Sequence, residues 1–169
     1  MGELEFDWPV MDTELSAYSQ ALTAEADIFL YGRKVLDIMS GYWPHAEEHS
    51  THDHDLAFAP VWRAHRKVVV STTLEKADWN TRVINTDVIK ELTALKNSGA
   101  RLLLFGGSSL AAHLTEHGLI GEYQIFVHPV VLGGGTPVFR TPQQRIHLTL
   151  AETRTFDSRV VLLRHTRTE

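Results

Sequence analysis

The chain has no cysteine. Disulfides, thiolate metal sites and cysteine nucleophiles are therefore excluded, and a reducing cytoplasm is the expected setting. No apolar run approaches the ~20 residues that span a bilayer, and the start, MGELEFDWPV, is acidic where a secretory leader would be basic and then apolar. An excess of positive charge is also missing. Sixteen Lys and Arg against 21 Asp and Glu give a net charge of −5, which argues against nucleic acid or a membrane as the partner and leaves a small molecule. Among chemical motifs, the chain lacks the Walker lysine, GxGxxG, HExxH and the GxSxG elbow. No pairing of carboxylates stands out.

What remains is ordinary globular composition, 43% hydrophobic and 22% charged over 169 residues, enough for one domain with a real core. Periodicity divides it into short elements. Helices are expected over 12–27 with Asp12 as cap, over 33–43 with Pro44 as stop, and over 87–99, a clear amphipathic stretch closed by Gly99. A further helix follows Gly107 and stops at Gly118, and LAFAPVWRAHR is helical only with Pro60 in its first turn or at a kink. Strands are expected at IFLYG (28–32), KVVVST (67–72), RVIN (82–85), ARLLLFGG (100–107) and EYQIFVHPVVL (122–132). HLTLAETRTF and RVVLLRHT close the chain as a pair joined at Asp157–Ser158. Apolar strands interleaved with helices, then a β-rich end, mean α/β architecture: a mainly parallel sheet with an antiparallel C-terminal edge.

Three of these strands end in residues suited to a ligand. LLLF runs into Gly106–Gly107 and then a helix opened by Ser108 and Ser109. Backbone N–H groups, the helix dipole and absent side chains together make an anion seat there, and a serine-capped tight turn accounts for the same residues. Gly32 is followed by two adjacent cations, Arg33 and Lys34, suited to a phosphate or to a solvated basic turn. Ser71 and Thr72 close a third strand with hydroxyls that bind a ligand or cap a turn. Parallel strands put all three ends on one rim, and together they suggest a nucleotide laid across it.

Three other features carry less. The stretch HAEEHSTHDHD (45–55) has His45, His49, His52 and His54 among carboxylates, without the spacing of any zinc motif, and reads as a solvated irregular loop. Gly133–Gly135 asks for close approach or positive φ in a ligand loop, a hairpin connection or a subunit contact. His128, before Pro129, reads as a buried hydrogen-bonding residue or one facing a neighbour, outside the catalytic set.

The string GGSSLAAHLTEHGLIGEYQIFVHPVVLGGGTPVF, with FDWPVMDTEL, FLYGRKVLDIMSGYWP and KVVVSTTLEKADWNTRVI upstream in that order, resembles the dihydrofolate reductase-like superfamily. The resemblance covers essentially the whole chain and is greatest to the branch sharing a domain with the riboflavin-biosynthesis reductase. It implies a single domain over 1–169 with a mixed, mostly parallel sheet of eight strands. It also implies hydride transfer from NADPH to a pterin- or pyrimidine-type molecule, and a homodimer. Gly106, Gly107, Ser108 and Ser109 would hold the pyrophosphate. Gly32, Arg33 and Lys34 would sit by the adenosine 2′-phosphate, and Ser71 and Thr72 by the adenine ribose. The alternative is a noncatalytic nucleotide-binding relative of the same fold.

Two departures from the resemblance stand out. Gly121 precedes Glu122 where the family has Asp-Glu. The family's first strand, whose turn borders the nicotinamide, has no counterpart among the seven strand candidates. LEF (4–6) as a substitute, a short N-terminus, or a partner filling a central gap are the three ways to account for it. Asp7 and Trp8 fall where a substrate wall would stand, and Tyr42 and Trp43 offer stacking or core packing.

Overall fold

The computed structural model describes residues 8–140 and 145–168. Strand β1 (Ile28–Gly32) is its axis: the first four residues are buried, because helices cover both faces of the sheet. β1 pairs in parallel with β2 (Lys67–Val70) on one side and β4 (Leu102–Leu104) on the other, and β2 with β3 (Thr81–Ile84). The order is β3-β2-β1-β4. Successive side chains of β1 point to opposite faces. Phe29 and Tyr31 join Val69 in a core closed by Leu36 of α2 (Arg33–Tyr42) and by Phe58 and Trp62 of α4 (Asp53–Ala64). Ile28 and Leu30 join Val68 and Ile84 against Leu92 of α5 (Val88–Asn97) and Leu110 and Leu114 of α6 (Ser108–Glu116). Each such apolar side chain contributes ~1.5–3 kcal/mol on burial.

The C-terminal strands form a sheet of their own. β5 (Glu122–Val127), β6 (Leu148–Phe156) and β7 (Val160–Arg167) pair antiparallel in the order β5-β7-β6. The turn between β6 and β7 has positive φ at both Asp157 and Ser158, the mirror-image turn whose twist matches a hairpin. Phe156, Val160 and Leu162 pack on Leu15 of α1 (Thr13–Glu25).

Four details differ from the sequence expectation. Residues 43–49 are helical: a 3-10 turn, Trp43–His45, admits Pro44 near its start, and α3 (Ala46–His49) follows. The expected irregular loop over 45–55 is thus reduced to residues 50–52. Helix α4 begins at Asp53, which leaves Pro60 in its interior, past the first turn. Asp12 makes no side-chain cap to α1; it pairs with Arg159, and Asp157 caps the helix instead, accepting from Glu14 N–H and Leu15 N–H. Pro129 lies beyond β5, which stops at Val127, since a missing N–H ends a ladder. Leu4–Phe6 and Asp7 lie outside the described residues.

Candidate functional site

The strand order changes direction beside β1. The chain lays β2 and β3 on one side of it and then crosses to place β4 on the other. In open parallel sheets such a reversal leaves a crevice at the carboxyl ends of the two central strands, because their following helices depart to opposite faces. Gly32 stands opposite Val70 in the register, and Leu30 opposite Leu104, so Gly32, the last residue of β1, and Gly106, two residues past β4, come at one level. The three strand ends singled out from sequence therefore do share a rim, and two of them flank the reversal.

Local backbone explains the glycines. Gly106 and Gly107 have φ of +69° and +93°, a region side chains disfavour, and a Cβ on Gly107 would stand 3.4 Å from Val35 Cγ2. Gly107 is the N-cap of α6, and Gly32 is the N-cap of α2; among the described residues neither helix receives a side-chain cap. Ser108 and Ser109 open the first turn of α6 and do not cap it, contrary to the serine-capped reading. Among the described residues, two helix N-termini thus point their first N–H groups at the rim without an acceptor from a cap side chain. α1, by contrast, is closed by the Asp157 carboxylate.

Arg33 is exposed, and its Nε donates to both Asp37 carboxylate oxygens at 2.8 Å. That i,i+4 pair occupies Nε alone, leaving the terminal guanidinium nitrogens outside it. Lys34 is exposed beside it. Ser71 is buried, and its Oγ accepts from Thr73 N–H and Leu74 N–H at 3.3 and 3.2 Å, so it shapes the turn after β2. Thr72 is exposed. The sequence reading missed Arg140, whose Nε donates to Ser108 Oγ at 3.4 Å across 32 residues. Its only sequence signal is a lone cation just past the Gly133–Gly135 loop.

Beside this rim lies a cleft of about 1370 Å³ between β4 and β5. Among the described residues neither strand has a pairing partner on that side, and the first strand that the resemblance leads one to expect is not among them. Leu15 and Tyr18 of α1, Phe105, Gly106, Phe126 and His128 are among its walls. Tyr18 donates to Gln124 Oε1 at 2.9 Å, and burial pushes its phenol above the usual range. At the cleft mouth Trp8 meets the His128 ring edge-on, centroids 5.5 Å apart.

The other singled-out residues disperse. Tyr42 donates to Asp55 at 2.7 Å, and Trp43 packs on Phe58 in the core. His45 pairs with Glu48, while Glu47 is held by a two-pronged bond from Arg63 that pulls its carboxyl down to about 2. His54 is buried against Phe58 with Nδ1 2.9 Å from Ser16 Oγ, and desolvation lowers its pKa. Among the described residues these groups do not gather into a metal-binding cluster.

A family model described as the RibD C-terminal domain matches residues 5–162. The chain belongs to the RibD C-terminal domain family. The uncharacterised YyaP protein of Bacillus subtilis is 36% identical over 161 residues, covering 93% of this chain and 81% of that protein. Two solved structures share the fold. A riboflavin biosynthesis protein from Shewanella sp. PV-4 superposes with a TM-score of 0.69 at 17% identity, over 89% of this chain and 78% of that one. RibD of Acinetobacter baumannii gives 0.60 at 17% identity, over 96% of this chain and 53% of that one. The dihydrofolate reductase-like α/β fold expected from the sequence is thus the fold of this chain. No described helix is long and apolar enough to cross a membrane.

Proposed function

We propose that the protein is an NADPH-dependent reductase of a flat pterin- or pyrimidine-type heterocycle. The observation that carries this reading is the crevice at the strand reversal, flanked by Gly32 and Gly106 and faced by two helices that start at glycine, neither of which has a side-chain cap among the described residues. In this reading Gly106, Gly107, Ser108 and Ser109 hold the pyrophosphate through backbone N–H groups. Gly106 and Gly107, both at positive φ, give the turn a backbone that a diphosphate can approach closely. Arg33 and Lys34 supply the charge for a 2′-phosphate, which distinguishes NADPH from NADH. Ser71, through the turn it shapes, and Thr72 border the adenine ribose.

When bound, NADPH supplies the hydride; the protein's part is alignment and exclusion of water. The cleft beside Gly106 has room for the acceptor, and its leucine, phenylalanine and tyrosine walls suit a planar ring. Membership of a family named for RibD, and a structural relative described as a riboflavin biosynthesis protein, support an acceptor of the kind met in riboflavin synthesis.

The test is titration of NADPH fluorescence, followed by oxidation of NADPH in the presence of pterins and aminopyrimidinones. Quenching with turnover is expected. Quenching without turnover on any acceptor favours the noncatalytic nucleotide-binding alternative, and no quenching at all overturns both.

A further inference from the structure

The proposed reaction leaves unanswered what holds the acceptor ring in register, and His128 is placed to do so. It follows the last residue of β5, and Val130 N–H donates back to the His128 carbonyl at 2.8 Å across Pro129. That tight turn, with the proline ring fixing its middle residue, pins the His128 backbone. The side chain is half-buried at the cleft, whose walls also include Gly106 of the cofactor rim and Met11 and Phe126.

The tautomer of the ring follows from its partner. Val10 N–H donates to His128 Nδ1 at 3.2 Å. A backbone N–H only donates, so Nδ1 must present its lone pair. The ring is then neutral with its proton on Nε2, since protonating Nδ1 would set two donors against each other. Burial acts in the same direction and lowers the His128 pKa. Trp8, standing edge-on at an interplanar angle of 88°, supports the ring from the side. Nε2 has no hydrogen-bond partner among the described residues.

From these contacts we infer that His128 is a recognition residue, its Nε2–H donating to a ring carbonyl of the heterocycle. The inference rests on the reductase reading and adds a substrate criterion to it: the acceptor presents an oxo group toward β5. An amino group at that position would set donor against donor and leave both unpaired in a half-buried site.

Lumazine, a 2,4-dioxopteridine, and 2,4-diaminopteridine make a matched pair of probes, each titrated with and without NADPH. The wild-type protein should bind lumazine more tightly. His128→Ala should weaken lumazine by at least about tenfold, diaminopteridine by no more than about twofold, and NADPH by no more than about twofold. His128→Gln, which keeps a donor, should recover part of the loss. In ¹⁵N NMR of the wild-type protein the His128 ring should show the neutral Nε2–H form, and Nε2 should shift on adding lumazine. Equal losses for both probes, an Nδ1–H tautomer, or no lumazine binding by the wild-type protein would each overturn the assignment. NADPH quenching reads the cofactor site separately, so failure there points to the reductase reading and not to His128.

Discussion

The two ends of the parallel sheet are built on opposite principles. At the amino ends of the strands, side chains tie down the backbone. Lys67, fully buried, donates through Nζ to the carbonyls of His65 and Trp79 and sits over the Trp62 ring. Asp27 accepts Arg101 N–H at 2.8 Å, and Asn80 donates to the Ala64 carbonyl. At the carboxyl ends of β1 and β4 the backbone is left open: glycines at positive φ after β4, helices without side-chain caps among the described residues, and cations at the surface; only after β2 does a side chain, Ser71, hold the turn. Groups satisfied within the protein contribute stability, whereas groups left for solvent are free for a ligand. One sheet thus has an end that holds and an end that receives.

The comparison breaks most visibly at Gly107. Gly107→Val puts a β-branched residue at φ +93° against Val35, costing about 1–2 kcal/mol of stability. Relieving that strain shifts the backbone N–H groups that would hold the pyrophosphate, so NADPH affinity should fall by at least about 100-fold while circular dichroism still reports a folded protein. Affinity that survives would move the pyrophosphate elsewhere.

Lys67 tests the other end. Burial holds its amine at about 8, below the 10.5 of a free lysine. Below pH 8 it is protonated in both the folded and unfolded chain. Between about 8 and 10.5 the unfolded chain binds more protons, so this group makes stability rise with pH. Urea melts across that window should show the rise in the wild-type protein and its loss in Lys67→Met, with NADPH affinity unchanged at pH 7.5. A variant that instead lost cofactor would show that the two ends are coupled. Arg33→Ala returns to the receiving end with a smaller effect: the preference for NADPH over NADH should drop about tenfold, ~1.4 kcal/mol. An unchanged preference would exclude Arg33 from the 2′-phosphate.

Much of this contrast can be read in the sequence, and unevenly so. The receiving end is local chemistry: each glycine, serine and cation lies within a few residues of the strand it ends, so Gly32, Ser71 and Gly106–Ser109 stand out before any fold is known. The alternation of β1 and the Asp157–Ser158 turn are likewise local. The holding end depends on contacts between distant segments. Lys67 looks like an ordinary strand-opening lysine until the Trp62 ring lies against its ammonium and the Trp79 carbonyl accepts from it. Asp12 looks like the cap of α1 until the turn 145 residues on brings Asp157 to the same N–H groups. Arg140 is hidden for the same reason, since its partner Ser108 is 32 residues away; His128 is legible as a hydrogen-bonding residue, but its partner Val10, 118 residues away, is not. The helical content of residues 43–49 was obscured by proline and histidine, whose local preferences yield to packing against α4.

The smallest effect is expected where the holding end is itself exposed. Asp27 lies at the surface just before β1, and its Oδ2 takes up Arg101 N–H, next to the carbonyl of Arg101 that accepts from Asp27 N–H and Ile28 N–H. These bonds start the β1–β4 pairing that sets the height of Gly32 against Gly106. Water replaces part of the lost bond, so Asp27→Ala should cost on the order of 0.5–1 kcal/mol in a denaturant melt. NADPH affinity should stay within about twofold, because the remaining register bonds of β1 and β4 are backbone alone. A larger loss of affinity than of stability would show that the register at the closed end is transmitted along three residues of β4 to the open one.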